Sequence, residues 1–165
     1  MPEQIFLFAV ILNLVVSSFM VGLIWLIQLV SYPLFSYVDA GDFQKYHSGH
    51  VKKITPLVAL AMTLEAGIAL ILLVFIPDVA VGLLVINTTL VCVIWVSTAF
   101  LQIPYHQRLE FPENQIMYTE KLVNTNWIRT ILWTSKLVIS IWVLVSFVGF
   151  YVSILELKFN QYCSS

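Results

Sequence analysis

The sequence predicts an all-α integral membrane protein whose four transmembrane helices form an up-down-up-down bundle. Of its 165 residues, 60% are hydrophobic and 10% are charged, and the mean hydropathy is +0.93. Soluble domains contain about 45–50% apolar and about 25% charged residues. The chain also has four apolar runs of at least the roughly 18 residues that a membrane-spanning helix needs. We therefore expect one integral membrane domain that covers residues 1–165.

The four predicted helices follow these runs in chain order. They cover about residues 5–31, 54–76, 79–102 and 127–156. The first run is longer than the apolar core of a signal peptide and no lysine or arginine precedes it, so we interpret it as a helix. The short turn Ile76-Pro77-Asp78 makes the second and third helices antiparallel neighbours. Cys92 and Cys163 differ too much in environment to predict a disulfide.

The distribution of lysine and arginine predicts the orientation in the membrane, because these residues concentrate in cytoplasmic loops. The side with both termini and the second-to-third connection carries only Lys158. The side with the first-to-second and third-to-fourth connections carries Lys45, Lys52, Lys53, Arg108, Lys121 and Arg129. We therefore expect both termini to be non-cytoplasmic.

Four polar residues lie deep within the apolar runs. At a rise of about 1.5 Å per residue, Glu65 lies about 18 Å and Lys136 about 13 Å from the cytoplasmic boundary. Asn13 and Asn87 lie about 12 Å from the opposite face. Buried charges are costly unless they are paired, so we predict a Glu65–Lys136 ion pair with both asparagines completing its hydrogen bonds. The alternative is that Lys136 extends to the cytoplasmic edge and leaves Glu65 neutral.

A second polar layer is predicted at the cytoplasmic mouth of the bundle, where all four helices contribute polar or aromatic residues. Tryptophan and tyrosine are common at membrane interfaces, but histidine, glutamine, asparagine and arginine at the same level indicate a site. The candidate residues of this mouth are Trp25, Gln28, Tyr32, His47, His50, Gln102, His106, Asn126, Trp127, Arg129 and Trp133.

Three histidines of the mouth are candidate metal ligands. His47 and His50 share a helical face if Asp42 caps a helix that continues through Pro56, and His106 could supply a third nitrogen. A haem or a transition metal would suit such ligands. No HExxH or CxxC motif accompanies them, and interfacial histidine beside lysine is the commoner arrangement.

Four segments resemble those of small bacterial four-helix integral membrane proteins of unassigned function: FMVGLIWLIQLVSYPLF, FQKYHSGH, LQIPYHQRL and LVNTNWIRTILWTSK. The layout is also distantly similar to anthrone-oxygenase-like membrane proteins and to the membrane oxidases that convert protoporphyrinogen to protoporphyrin. Those oxidases have a histidine in the first helix, where this chain has none, so the resemblance implies no catalytic residue here. The first resemblance rests on Trp25, Gln28, Tyr32, Pro33, His47, His50, His106, Asn126, Trp127, Arg129 and Trp133.

Two function classes fit these features. The first is a haem- or metal-dependent redox protein acting on a lipophilic aromatic molecule, with tryptophans stacked on the ring and Arg129 holding a carboxylate or phenolate. The second is a non-enzymatic subunit or assembly factor that docks on another membrane protein or on a second copy of itself. The chain has no basic stripe for nucleic acid and no internal repeat of the kind that transporters use.

Overall fold

A computed structural model describes residues 3–75 and 81–163, and this part of the chain is all-helical. A short 3-10 helix at Pro112–Asn114 precedes the last helix. The α-helices are α1 (Glu3–Leu26), α2 (Ala40–Val74), α3 (Val81–Ser97), α4 (Ile103–Arg108) and α5 (Gln115–Cys163).

Four helical segments are long and apolar enough to cross a membrane, which confirms the predicted number. They are built on α1, α2, α5 and the combined α3 and α4. Both α2 and α5 pack against α1 and against α3. The outward surfaces carry large apolar side chains, such as Phe8 at 65% and Phe100 at 75% exposure, which is compatible with contact to lipid.

The helices extend well beyond the apolar runs that predicted them. α2 begins at Ala40 and α5 at Gln115, rather than near residues 54 and 127. Hydropathy marks where the hydrocarbon layer would begin, whereas a helix can continue through polar residues. Asp39 is the N-cap position of α2 and Asp42 lies in its first turn, so the prediction that Asp42 caps this helix was wrong. The helix does continue through Pro56, as that prediction required.

Two π-helical turns interrupt the regular helices at the same end of the molecule. They lie at Ile27–Ser31, after α1, and at Thr98–Gln102, between α3 and α4. Pro33 follows the first turn and Pro104 lies just beyond the second. Proline has no N–H and its ring crowds the carbonyl four residues earlier, so the preceding turn widens. Each widened turn carries a buried glutamine into the bundle.

The interior is divided into two apolar clusters with polar residues between them. One cluster contains Phe6, Leu72 and Val143, and the other contains Met20 and Trp133 among others. In each of the four long helical segments, the deep polar residues lie in sequence between members of these two clusters.

The predicted turn at residues 76–78 and the side chains of Lys158 and Cys163 lie outside the described part of the structure. Cys92 is a free, exposed thiol.

Candidate functional site

A deep polar cluster lies inside the bundle between α1, α2, α3 and α5. Its side chains are all at most 1% exposed. Its members, which we call the deep cluster, are Asn13, Ser17, Glu65, Asn87, Trp133, Lys136 and Ser140.

Lys136 is the centre of the deep cluster. Its Nζ lies 3.0 Å from Glu65 Oε1, so the predicted ion pair is formed. The same nitrogen donates to Asn13 Oδ1 at 3.1 Å and to Ser17 Oγ at 2.7 Å. An ammonium group carries three N–H donors, and each of them has an acceptor here. The alternative, in which Lys136 extends to the membrane edge, was wrong because the residue is 0% exposed.

The Glu65 carboxylate is equally well satisfied. Its Oε2 accepts a hydrogen bond from Trp133 Nε1 at 3.0 Å. Its Oε1 accepts from Lys136 Nζ at 3.0 Å, and Ser17 Oγ, whose single proton is directed to the Asn13 carbonyl at 2.7 Å, lies 3.3 Å from it. Burial of this charge is therefore offset by a cation and the indole N–H.

The two asparagines differ in how they reach this pair. Asn13 contacts Lys136 directly, whereas Asn87 Nδ2 donates to Ser140 Oγ at 2.9 Å. Ser140 also accepts from Asn13 Nδ2 at 2.9 Å and donates to the Lys136 carbonyl at 2.9 Å. Asn87 Oδ1 is the only side-chain polar atom of the deep cluster without a partner in the described part of the chain.

Arg129 of α5 lies next to the deep cluster but is held differently. It is 3% exposed, and its guanidinium carbon lies 5.0 Å from the centroid of the Trp133 ring. Its Nη1 donates to Asn126 Oδ1 at 3.2 Å, while its Nε has no hydrogen-bond partner. Within residues 3–75 and 81–163, no carboxylate forms an ion pair with it. Arg129 was counted among the basic residues that predict orientation and was also a candidate of the mouth site near the start of the fourth helix, and the structure places it buried within α5.

A hydrogen-bonded amide pair fixes the position of Arg129. Asn126 Nδ2 donates to Gln28 Oε1 at 2.9 Å, which leaves Asn126 Oδ1 free to accept from the guanidinium. Gln28 Nε2 in turn donates to the Val123 carbonyl at 3.0 Å. The π-helical turn after α1 is thus what orients the arginine, through Gln28.

A chain of ring hydrogen bonds starts beside Arg129. Tyr32 Oη and His106 Nε2 are 3.0 Å apart, and His106 Nδ1 and His47 Nε2 are also 3.0 Å apart. A bond between two imidazole nitrogens uses one N–H and one lone pair, so the tautomers of the two rings are linked. His50 lies apart from this chain, with its ring 5.1 Å from Phe35 and its Nε2 without a partner.

This arrangement gives no support to a metal or haem held by His47, His50 and His106. Both ring nitrogens of His106 are occupied by hydrogen bonds to neighbouring side chains. The lone pairs that would bind a metal are therefore not directed at a common point. No group of three His, Cys, Asp or Glu residues in the described part of the chain is arranged to hold a metal ion.

A cavity of about 240 Å³ lies between α2 and the α3–α4 segment, and we call it the Arg129 pocket. Its polar residues include Tyr32, Gln102, His106 and Arg129. Gln102 donates to Thr125 Oγ1 at 3.2 Å, but its Oε1 is buried without a partner. The walls are formed by Ile27, Ile54, Thr55, Val58, Ala59, Met62, Trp95, Thr98, Ala99 and Ile103.

A more polar groove adjoins the Arg129 pocket. It has a volume of about 650 Å³ and is lined by Gln44, Lys52 and Glu110 among others. Both cavities share Thr55, Ile103 and His106 as lining residues. His106 therefore lies between an apolar cavity and a hydrophilic one.

The predicted mouth residues separate into three groups. Trp25 and Trp127 are 37% and 39% exposed and contact each other edge-on at 5.6 Å, so they lie on the outer surface and not at the cavity. His50 lines a separate open groove. The others line the Arg129 pocket, contact a residue that does or, in the case of Gln28, hold such a contacting residue in place, and these are Gln28, Tyr32, His47, Gln102, His106, Asn126, Arg129 and Trp133.

Sequence reasoning missed several residues of these sites. Ser17 lies four residues after Asn13, and Ser140 lies four residues after Lys136. Residues four apart share a helical face, so this spacing could have identified both serines. Trp95, the indole that does line the pocket, carried no signal beyond that of any aromatic residue in an apolar run.

No family model, curated protein or solved structure matches this chain. The resemblance to four-helix membrane proteins and to the two oxidase-like groups therefore stays a prediction. Function has to be inferred from the geometry of the buried polar residues.

Proposed function

We propose that this protein binds a lipophilic small molecule in the Arg129 pocket, with the polar head group of that molecule at the arginine. One observation carries the proposal: a largely apolar cavity contains a buried guanidinium that has no carboxylate partner in the described part of the chain. Ligand sites in proteins are typically apolar cavities with a few polar groups that fix orientation.

The walls of the cavity favour a ligand that partitions into the bilayer. Val58, Met62 and Trp95 supply apolar surface, and Trp95 offers a ring face for stacking. The lining residues Ala59 and Ala99 are exposed, so the cavity is open at this point. They lie within helices long enough to span the membrane, so we propose that the ligand enters laterally from the lipid.

The hydrogen-bonded chain from Tyr32 through His106 to His47 favours a ligand whose head group exchanges a proton. It leads from the apolar pocket towards the adjoining hydrophilic groove. Histidine is the side chain best suited to move protons near neutral pH. We therefore propose, within the binding function, a redox or proton-transfer reaction on a lipophilic aromatic molecule.

We further propose an up-down-up-down bundle with non-cytoplasmic termini in a bacterial inner membrane. The lysines and arginines that support this orientation are Lys45, Lys52, Lys53, Arg108 and Lys121, all of which are exposed. Leaving the buried Arg129 out of this count does not change the predicted orientation. The side with the termini still has only one basic residue, Lys158. In this orientation the polar groove opens towards the cytoplasm.

Blocking the cavity tests the binding function. We expect 2-methyl-1,4-naphthoquinone to quench the tryptophan fluorescence of the protein in nanodiscs in a saturable manner. Ala59→Phe and Ala99→Phe fill the cavity and should weaken this binding by more than about tenfold, or about 1.4 kcal/mol. Leu60→Phe is the matched control, because Leu60 is 61% exposed and is not a lining residue.

Equal quenching by simple partitioning in all four proteins would contradict the proposal. Stoichiometric purification with another membrane protein, together with no saturable binding of the quinone, would favour the alternative of a non-enzymatic subunit or assembly factor.

A further inference from the structure

Among the residues that the structure describes, the buried acidic and basic groups do not balance in charge. Lys136 and Arg129 are two cations at 0% and 3% exposure, and Glu65 is one carboxylate at 1% exposure. The carboxylate is bonded to Lys136, so one positive charge, that of Arg129, is left over. Burial of an unpaired charge costs several kcal/mol, of the order that a buried ion pair has to recover.

The groups that contact Arg129 do not supply the missing negative charge. They are the ring of Trp133, the amide oxygen of Asn126 and the phenol of Tyr32. The hydroxyl of Tyr32 is hydrogen-bonded to His106, which is a further uncharged partner or a cation but never an anion. The other polar groups of the pocket belong to threonines and to Gln102.

The protein satisfies a buried cation completely where that cation is structural. Every N–H donor of Lys136 has an acceptor within 3.1 Å. Arg129 instead keeps an unpartnered Nε, and Gln102 Oε1 is unpartnered in the same pocket. Two unsatisfied polar side chains that line one cavity indicate a site completed by a ligand.

We propose that the molecule bound in the Arg129 pocket carries an oxyanion, a carboxylate or a phenolate, that acts as the counter-ion of Arg129. The inference rests on the proposed binding function and specifies its ligand class as lipophilic acids. A guanidinium suits this role because its donors are planar and match the geometry of an oxyanion. The apolar walls of the pocket would hold the body of the acid.

Three probes that share one ring system test the inference. These are 2-naphthoate, 2-naphthol and the neutral 2-naphthamide, titrated by tryptophan fluorescence into protein in nanodiscs of zwitterionic lipid. We expect 2-naphthoate to bind at least about tenfold more tightly than 2-naphthamide. Tight binding of 2-naphthol that strengthens as the pH approaches its ionisation would assign the phenolate rather than the carboxylate.

Substitution of the arginine makes the test specific. Arg129→Gln should abolish the preference for the anion, whereas Arg129→Lys should retain it with weaker binding because the charge is kept and the planar donors are lost. Arg108→Gln is the matched control, since Arg108 is an exposed arginine at the same end of the bundle and should leave the preference unchanged. A thermal unfolding curve for each variant verifies that it is folded.

The outcomes separate this inference from the binding function on which it rests. If 2-naphthamide binds as tightly as 2-naphthoate and Arg129→Gln changes neither affinity, the pocket binds neutral molecules and the oxyanion inference is wrong. If none of the three probes and no quinone binds saturably, the binding function is wrong as well.

Discussion

The deep cluster and the Arg129 pocket are two buried polar regions that share one indole. Trp133 donates its N–H to Glu65 on one side, and its ring faces the Arg129 guanidinium on the other. In the deep cluster the cation has a carboxylate and two further acceptors. In the Arg129 pocket the cation has one amide oxygen, the phenol of Tyr32, an aromatic face and an unpartnered Nε, but no carboxylate in the described part of the chain.

The difference separates a structural role from a binding role. A charge whose hydrogen-bonding capacity is filled by the protein has nothing left with which to bind a ligand, but Lys136 in this state links its own helix α5 to α1 and α2. A charge that is left partly unsatisfied destabilises the empty protein and favours a ligand that completes it. Polar residues inside a membrane bundle are therefore better compared by their unsatisfied hydrogen-bonding groups than by their depth.

The largest effect should follow from breaking the ion pair. Glu65→Leu removes the carboxylate and leaves Lys136 buried without a counter-ion, so we expect the free energy of unfolding to fall by about 3–5 kcal/mol. The double variant Glu65→Leu/Lys136→Met removes both charges and should recover most of this loss. Reversible unfolding in mixed detergent micelles measures both values.

A double variant as unstable as the single one would contradict the view that the unpaired buried charge of Lys136 causes the loss of stability. Such a result would mean that the helices depend on the hydrogen bonds of the ion pair and not on the balance of charge.

The sequence was sufficient to place Glu65 and Lys136 at similar depths in the bundle, but it left open whether they pair. A helix rises by a constant amount per residue, so the depth of a charged residue in an apolar run follows from counting. The rotation of each helix about its axis does not follow from counting, which is why Trp25 and Trp127 were placed at the site although they face outwards.

The π-helical turns explain part of what the sequence could not show. One extra residue per turn shifts the facing of every residue that follows, and hydropathy contains no sign of it. Arg129 was placed in the fourth helix and at the mouth site, but it was also counted as an orientation charge because the apolar run starts near residue 127, whereas α5 has already begun at Gln115. A basic residue at the edge of an apolar run is therefore counted towards orientation even when it is buried.

A smaller effect distinguishes the two asparagines that the sequence placed in one layer. Asn13→Leu removes an acceptor from a charged donor, so we expect a loss of about 1.5–3 kcal/mol in the free energy of unfolding. Asn87→Leu removes only a neutral donor to Ser140, which keeps its other two bonds, and should cost less than about 1 kcal/mol. The same unfolding measurement applies to both, and equal losses would mean that the lysine does not depend on Asn13.

The most direct test of the difference between the two regions replaces each buried cation with methionine. Lys136→Met strands the Glu65 carboxylate, so the free energy of unfolding should fall by about 3–5 kcal/mol. Arg129→Met strands no charge, so the free energy of unfolding should stay within about 1 kcal/mol of the unsubstituted protein while binding of 2-naphthoate is lost. An equal or larger loss of stability in Arg129→Met would contradict the account, because Arg129 would then be a structural cation like Lys136.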